Sequence, residues 1–283
     1  MNFPRTTVAG VSLPRMIMGT NWLAGWSHRS PSADKHIKTL HAQPESILPV
    51  LSAYMENGID AIMGPFGTIA PIDTAIKQAE DKFGKKITLI DTPIIDVSDN
   101  PAARASAAAR IKQSAATGAT FCLIHHSSVE ELVDKNARVI KRIDDYTQMI
   151  RENGMIPGLS AHMPELITYS DANGYDVETY IQIYNCLGFL MQIEIETIAS
   201  IIHAAKKPVM TIKPMAAGRC TPYVGLNFAW ATLRDCDMVT AGAHLADEVY
   251  ENIEISRAFF DRRFPELEKR ASPNMNQSAF GGA

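Results

Sequence analysis

Short apolar runs alternate along this chain with segments in which apolar residues recur at three and four positions. The short runs are typical of strands buried on both faces, and the longer segments have the period of helices lying on a sheet. Eight strands are predicted, over residues 16–19, 59–63, 87–90, 120–124, 156–159, 179–184, 209–212 and 237–240. This alternation predicts a (β/α)8 TIM barrel that occupies residues 1–283 as one domain.

The same periodicity predicts the helices and two departures from an ideal barrel. Helices are expected over 69–83, 101–116, 129–153 and 194–205, with a last one over 249–260. Between a helical stretch and the next strand, where a left-handed cap favours glycine, stand Gly58, Gly84, Gly118 and Gly154. Residues 22–45 form a long loop after strand one, which we expect to cap the site. Residues 271–283, rich in Ser, Asn and Gly, are expected to form a flexible tail.

Composition narrows the class of ligand. The net charge is −4, and Lys and Arg never cluster into a run, so a nucleic-acid footprint is absent. No run approaches the roughly 18 uncharged apolar residues of a membrane span. Four scattered cysteines form no Cys-x-x-Cys pair and are expected to be reduced. We therefore expect a cytoplasmic protein with a small-molecule substrate, and the sequence leaves its oligomeric state open.

Polar side chains follow several predicted strands at the point where each strand ends. In a parallel barrel this edge holds the active site, so we expect one shared site. Its candidate catalytic residues are His28, Asp91, His125, His162 and Lys213.

Each candidate has a chemical rationale. If both His125 and His126 continue the strand, their directions alternate, and His125 is expected to face the mouth while His126 faces the helices. Asp91 would serve as a base or a metal ligand if it points inward. Ser160 and His162 share a face if the backbone stays extended.

Lys213 lies in an apolar strand, where desolvation lowers the pKa of an amine and favours attack on a carbonyl. Binding a phosphate or pairing with Asp91 is the alternative role. From the long first loop, His28 and Arg29 would add cationic groups. A divalent metal held by histidine and carboxylate ligands remains an alternative, although no His-x-His or His-Glu-x-x-His pattern supports it.

Six phrases in barrel order resemble the aldo-keto reductase superfamily: residues 13–20, 123–125, 158–165, 182–185, 210–218 and 242–252. The resemblance implies that His125 belongs to the catalytic group and orients or polarises a substrate carbonyl. It also implies a nicotinamide cofactor. The residues that would hold this cofactor are Gly19, Thr20, Ser160, Gln182, Lys213, Gly242, Glu251 and Asn252.

The chain departs from this family's pattern where the acid is expected. Phe66 stands where the family has its tyrosine, Met63 replaces an aspartate, and Asp91 stands in place of the lysine. A phenyl ring carries no proton, so ordinary carbonyl reduction lacks its usual donor. Asp247 and Glu248 would repel a 2′-phosphate, which favours NAD over NADP.

Our primary hypothesis is a divergent enzyme of this type that acts on a small polar carbonyl or hydroxyl compound. One alternative is a non-redox lyase, isomerase or hydrolase that uses Asp91, His125 and His162, with or without a divalent ion. A catalytically inactive binding protein is the other alternative, which costly polar groups around a barrel mouth argue against.

Overall fold

The computed structural model describes residues 3–267, and its centre is a closed barrel of eight parallel strands. We number them β1 to β8 in chain order: Met16–Gly19, Ala61–Gly64, Thr88–Asp91, Phe121–Ile124, Ile156–Ala161, Tyr180–Ile183, Val209–Ile212 and Met238–Gly242. Each strand pairs with its sequence neighbours, and β8 closes onto β1 through pairs such as Ala241 with Met18. The predicted (β/α)8 barrel is confirmed, with all eight strands within two residues of their predicted limits.

Alternation along the strands separates two apolar layers. One layer lies inside the barrel and includes the inward-pointing side chains of Ile17, Leu123 and Ile181. Met18 and Ile124 point outward and pack against the surrounding helices. Because side chains alternate along a strand, this register decides which strand-end residues face the mouth.

The helices lie around the barrel and follow the strands in turn. Their bounds are Asn21–Ala24, Pro31–Leu40, Pro44–Glu56, Ala70–Phe83, Pro101–Ala116, His126–Val129, Ile143–Glu152, Glu165–Asn173, Ile195–Ala204, Pro222–Thr232 and Ala246–Phe260. Short 3-10 turns cover Glu130–Leu132 and Ala216–Gly218. The predicted glycine cap is seen at Gly84, which ends helix Ala70–Phe83 in the left-handed conformation with φ of 59°.

A hairpin that the strand pattern did not predict precedes the barrel. Strands Arg5–Val8 and Val11–Pro14 pair antiparallel, and Gly10 turns between them with φ of 82°. Val8 and Leu13 are fully buried in the interior layer of the barrel. The hairpin therefore covers the amino-terminal end of the barrel, which leaves ligand access at the carboxyl ends of the strands.

The continuous helix predicted over 129–153 is wrong in its first half. A small antiparallel hairpin, Val133–Asp134 with Val139–Ile140, precedes helix Ile143–Glu152. Oδ1 of Asp134 accepts hydrogen bonds from the backbone N–H groups of Asn136 and Ala137, which bends the chain into a turn. This local bonding competes with helix formation although the apolar spacing fits a helix.

The segment 22–45, predicted as a long loop, contains helix Pro31–Leu40 and the start of helix Pro44–Glu56. Ser30 begins the first of these helices, since its hydroxyl accepts from the backbone N–H of Ala33 at 3.2 Å. The predicted tail at 271–283 lies outside the described residues. Within 3–267, no helix has the length and apolar character to cross a bilayer.

Candidate active site

A cavity of about 1090 Å³ opens at the carboxyl ends of the barrel strands. Side chains or backbone from the ends of β1, β2, β3, β4, β5, β7 and β8 form its wall, including Gly19, Gly64, Thr92, His125, His162, Lys213 and Gly242. The hairpin at the opposite end and the packed interior layer leave this mouth as the place for a ligand.

His125 and His126 both line the cavity, so the expectation that one of them faces the helices is wrong. Strand β4 ends at Ile124, and His125 turns the chain with φ of −58° and ψ of 146° into helix His126–Val129. Alternation therefore stops one residue before the pair. The two imidazole rings lie 4.2 Å apart between centroids.

His162 joins this pair from the end of β5. Its ring stacks on that of His126, with centroids 3.7 Å apart and an interplanar angle of 18°. The carboxylate of Glu130 fixes the turn, accepting from the backbone N–H groups of His162 and Met163 at 2.5 and 2.8 Å. The other carboxylate oxygen of Glu130 lies 4.0 Å from Nδ1 of His126. Three imidazoles thus form one wall.

These imidazoles are neutral at pH 7. Burial, the neighbouring His126 and the positive charge of Lys213 lower the pKa of His125 to about 4. Burial and the same two neighbours lower the pKa of His162 to about 3. Burial also lowers the pKa of His126, against the opposing effect of Glu130. Such rings can donate one hydrogen bond to a substrate oxygen, but they hold no spare proton to give.

Hydrogen bonding sets the tautomer of His125. Its Nδ1 accepts from the backbone N–H of Ser127 at 3.3 Å and lies 2.8 Å from the hydroxyl of Ser127. The ring proton therefore belongs on Nε2. A fixed Nε2–H is suited to polarise a carbonyl oxygen, as predicted for His125.

Lys213 follows β7 and lies in the cavity wall with a left-handed backbone, at φ of 60°. Burial lowers its pKa to about 8. Within residues 3–267, no hydrogen bond or ion pair reaches its ammonium, so the suggested pairing with Asp91 does not occur. At neutral pH Lys213 is thus a protonated, desolvated amine that loses its proton easily.

The segment 22–45 contributes Trp22, His28 and Arg29 to the cavity wall. His28 has φ of 56°, and its carbonyl oxygen accepts from the Arg219 guanidinium at 3.1 Å. Burial, with Lys213 nearby, lowers the pKa of His28. The segment therefore lies beside Lys213 at the mouth.

Asp91 is placed differently from its prediction. It is fully buried, does not line the cavity, and accepts from the guanidinium of Arg110 at 3.2 Å and from the backbone N–H of Phe66 at 3.0 Å. These bonds hold the carboxylate behind the wall, where it joins β3 to helix Pro101–Ala116. A buried, paired carboxylate of this kind has a structural role and is poorly placed as a base or metal ligand.

The acid missing from the sequence is not replaced by another tyrosine. Phe66 is buried in the layer between barrel and helices, and among the described residues no tyrosine lines the cavity. Met63 lies in the wall, where its sulfur is 3.8 Å from the hydroxyl of Thr240. Lys213 also lies in the wall, and its pKa of about 8 suits proton donation near neutral pH.

Seven of the eight residues expected to hold a cofactor lie in the cavity wall: Gly19, Thr20, Ser160, Lys213, Gly242, Glu251 and Asn252. Oδ1 of Asn252 is buried and has no hydrogen-bond partner among residues 3–267, which suits an amino group from a ligand. This orphaned oxygen beside Glu251 fits the adenine end of a dinucleotide.

Gln182 does not fit. Ile181 points into the barrel, so Gln182 points outward, and its Nε2 donates to the carbonyl oxygens of His162 and Ile183, both at 3.3 Å. Strand alternation explains the correction. Gln182 supports the turn that carries His162 and does not contact a ligand in the mouth.

Trp22 lies between the loops that follow β7 and β8. A side chain at Gly242 would come within 3.1 Å of its ring, so this glycine makes room for the indole, and Gly218 lies at ordinary contact distance from the same ring. The ring stacks on His244, whose Nδ1 is 3.0 Å from the carboxylate of Glu248. Trp22, His244 and Glu248 thus form the wall opposite the three histidines.

No group of three or more metal-ligand side chains in the described part of the chain has a geometry that could hold a metal ion. The stacked rings of His126 and His162 lie face to face, and Asp91 is held elsewhere. The geometry does not favour the metal alternative.

Sequence reasoning missed His126, Glu130 and Arg110. The adjacent His125-His126 pair was a visible signal, but only the end of β4 shows that both rings enter the cavity. Nothing in the sequence spacing linked Arg110 to Asp91 or Glu130 to His162.

Comparison with solved structures finds this architecture in known proteins. A Pseudomonas aeruginosa protein described as an aldo-keto reductase matches 90% of this chain and 96% of its own, with a TM-score of 0.63 at 12% identity. The two proteins share the (β/α)8 barrel fold. An aldo/keto reductase from Klebsiella pneumoniae, solved with NADP and acetate, matches 95% of this chain and 99% of its own, with a TM-score of 0.56 at 15% identity.

Aldose reductase from Giardia lamblia covers 97% of both chains, with a TM-score of 0.52 at 11% identity. No protein-family model and no curated protein sequence matches the chain. The predicted resemblance is thus confirmed for the fold, while the chemistry must be argued from the site.

Proposed function

We propose that this protein is a nicotinamide-dependent oxidoreductase of small polar carbonyl or hydroxyl compounds in which Lys213 replaces the missing tyrosine as proton donor. The observation that carries the proposal is the ammonium of Lys213, with which no side chain within residues 3–267 pairs, in a cavity that it shares with His125, His126 and His162.

The cofactor proposed is NADH. Asn252 and Glu251 would hold its adenine end, and Gly19, Thr20, Ser160 and Gly242 would line the rest of its path. Asp247 and Glu248 in the first turn of helix Ala246–Phe260 disfavour the extra phosphate of NADPH. A bound reduced nicotinamide would supply a hydride to the carbonyl carbon.

Two residues of the chain would act on the substrate oxygen, one by polarising it and the other by protonating it. The Nε2–H of His125 orients and polarises the carbonyl, and burial keeps this ring neutral. As the oxygen gains negative charge, the ammonium of Lys213 transfers its proton to it and becomes a neutral amine. A low pKa favours this transfer, because the amine form is already stabilised by desolvation.

Thermal-shift and calorimetric titrations with NADH and NADPH separately test cofactor binding, and NADH oxidation with a panel of small polar aldehydes and ketones tests turnover. We expect NADH to raise the melting temperature more than NADPH, and Asn252→Ala to weaken the NADH effect. No response to either dinucleotide would remove the redox proposal.

A second candidate function uses the same amine as a nucleophile. A desolvated lysine with a pKa of about 8, with which no charged group in the described part of the chain pairs, can form a Schiff base with a carbonyl compound, releasing water. Borohydride trapping with the same aldehydes and ketones distinguishes the two. A mass increase on the Lys213 peptide favours the Schiff base, and cofactor-dependent turnover without an adduct favours the reductase.

A further inference from the structure

Two of the four free cysteines lie together at the rim of the barrel mouth. Cys186 follows β6, and Cys220 follows the 3-10 turn Ala216–Gly218 after β7. Their sulfur atoms are 3.8 Å apart, which is contact without a bond. A disulfide has a sulfur separation of about 2.05 Å, so a shift of less than about 2 Å would join them.

The loops that carry the two thiols are held in place. The buried side chain of Asn185 accepts from the backbone N–H groups of Leu187 and Phe189 at 3.2 and 2.9 Å, which fixes the loop around Cys186. The backbone N–H of Cys220 donates to Met215 at 3.4 Å. The sulfur contact is therefore a property of two structured loops.

A second contact joins the same loops. The guanidinium of Arg219, next to Cys220, lies 3.8 Å from the ring centroid of Phe189, which belongs to the Cys186 loop. This cation–π contact keeps the loops together whether or not the sulfurs are bonded.

The other two cysteines lie in different surroundings. Cys122 is fully buried in β4, and the sulfur of Cys236 lies 3.8 Å from the carboxylate of Asp237. Among the residues described, only the pair Cys186 and Cys220 brings two sulfurs into contact.

We propose that Cys186 and Cys220 are a redox-modification site that closes to a disulfide by exchange with a low-molecular-weight disulfide of the glutathione type. One cysteine thiolate attacks the small disulfide and releases one small thiol, leaving a mixed disulfide on the protein. The second cysteine then loses its proton, attacks the protein sulfur of that mixed disulfide and releases the second small thiol. Two electrons pass from the protein sulfurs to the small disulfide, and a small thiol in excess reverses both steps.

The order of attack follows from the environment. Burial and the neighbouring Cys186 raise the pKa of Cys220 to about 11, so little thiolate forms there near neutral pH. Cys186 therefore attacks first and Cys220 closes the bridge. The closing step is expected to accelerate as the pH rises.

Closure has a consequence for the cavity. Cys220 lines the mouth and ends the loop that begins at Lys213, so the bridge ties this loop to the loop after β6. Hydrogen exchange of the backbone over 214–221 is expected to slow in the oxidised protein. This inference does not depend on the proposed function.

The test incubates the reduced full-length protein with oxidised glutathione, then alkylates free thiols and maps peptides without reduction. We expect a peptide pair that links Cys186 to Cys220, lost on adding dithiothreitol. The same pair is expected in the matched control Cys236→Ser and is expected to be absent in Cys186→Ser and Cys220→Ser, each of which should instead retain a glutathione adduct or a free thiol.

Glutathione adducts without a linked pair in the wild-type protein, or a bridge that includes Cys122 or Cys236, would overturn the proposal. If a serine variant fails to fold, the wild-type and Cys236→Ser peptide maps still decide the question. Faster or unchanged exchange over 214–221 in the bridged protein would refute the proposed restraint on the loop.

Discussion

Two charged residues lie at strand ends of the same barrel, and they differ in whether a side chain of opposite charge pairs with them. Asp91 ends β3, is fully buried and is bonded to Arg110 and to the backbone of Phe66. Lys213 follows β7 and lies in the cavity wall, where no partner meets its ammonium in the described part of the chain.

The difference separates a structural charge from a reactive one. A buried carboxylate that is paired and hydrogen-bonded joins neighbouring elements of the fold. Removing its charge destabilises the protein, because the partner is left as a buried charge without compensation. A desolvated amine without a counter-charge gains no such compensation. Its proton is held weakly, and that property is useful only if a ligand takes the proton or supplies the missing negative charge.

The largest effect is expected from Lys213→Met. Removing the proposed proton donor should lower the turnover of the proposed NADH-dependent carbonyl reduction by about 10²–10⁴-fold. Thermal stability should stay equal or rise, because a partly buried charge that nothing in the described part of the chain pairs with is removed. Steady-state kinetics and calorimetry measure the two effects.

The exposed Lys112→Met, on helix Pro101–Ala116, is the matched control and should leave both quantities unchanged. Retention of most of the activity in Lys213→Met would break the distinction between the two strand ends.

Asp91→Asn should show the opposite pattern. The amide keeps an oxygen for the N–H of Phe66 but leaves Arg110 without its counter-charge, so unfolding free energy should fall by about 3 kcal/mol. Turnover per folded molecule should change little. Denaturant unfolding, with the exposed Asp81→Asn as control, measures the loss. A loss of turnover with unchanged stability would return Asp91 to the catalytic group.

The pH dependence sharpens the contrast. Donation needs the protonated amine, so turnover should fall about tenfold per unit as pH rises above the Lys213 pKa of about 8. Arginine keeps its proton throughout this range, so Lys213→Arg should have low activity and no alkaline fall centred there. An alkaline limb that survives in Lys213→Arg would assign the titration to another group.

The same shift has a stability consequence of defined sign. Because the folded pKa of Lys213 is lowered from 10.5 to about 8, the unfolded chain binds more protons between these values. The contribution of Lys213 to stability should therefore rise over this range and be missing in Lys213→Met. Urea midpoints at pH 8 and 10 test the difference.

The histidines give a smaller effect at acid pH. In the folded protein the pKa values of His125 and His162 are about 4 and 3, against 6.5 for the free side chain. As the pH falls below 6.5, the unfolded chain therefore binds protons that the folded protein does not yet bind. Their contribution is complete above 6.5 and is lost toward pH 4. In His162→Gln the slope of stability against pH should be shallower by close to one bound proton. An unchanged slope would show that His162 titrates normally.

The smallest effect is expected at Gln182. This side chain faces away from the cavity, so Gln182→Met should change the affinity for NADH by less than about threefold, whereas Asn252→Ala should weaken it about tenfold, the cost of one lost hydrogen bond. Titration calorimetry compares them. A larger loss at Gln182 than at Asn252 would contradict the assignment of the cavity wall.

The fold was predictable because each strand is a short apolar run and each linking helix has its own period. β1 and β7 were placed at their observed limits, Met16–Gly19 and Val209–Ile212. The prediction failed where local polar bonding decides the backbone, as in the hairpin around Asp134. Apolar spacing carries no signal for a turn that a single carboxylate stabilises.

The site was predictable to the level of the strand end. The carboxyl ends of parallel strands lie at one end of the barrel, and this places His125, His162 and Lys213 in the same cavity. Direction was harder, since one residue decides whether a side chain faces inward, as Gln182 shows. The ion pair between Arg110 and Asp91 could not be predicted from the sequence, because the two residues come into contact only when the helix packs on the strand.

The most direct measurement is the ionisation of Lys213 itself. Protein labelled with ¹³C at lysine Cε can be titrated by NMR, and comparison with Lys213→Arg assigns the resonance. The account predicts that this carbon titrates at about 8 and that binding of NADH shifts the titration. A Lys213 resonance that titrates at the ordinary lysine value of about 10.4 would contradict the central claim.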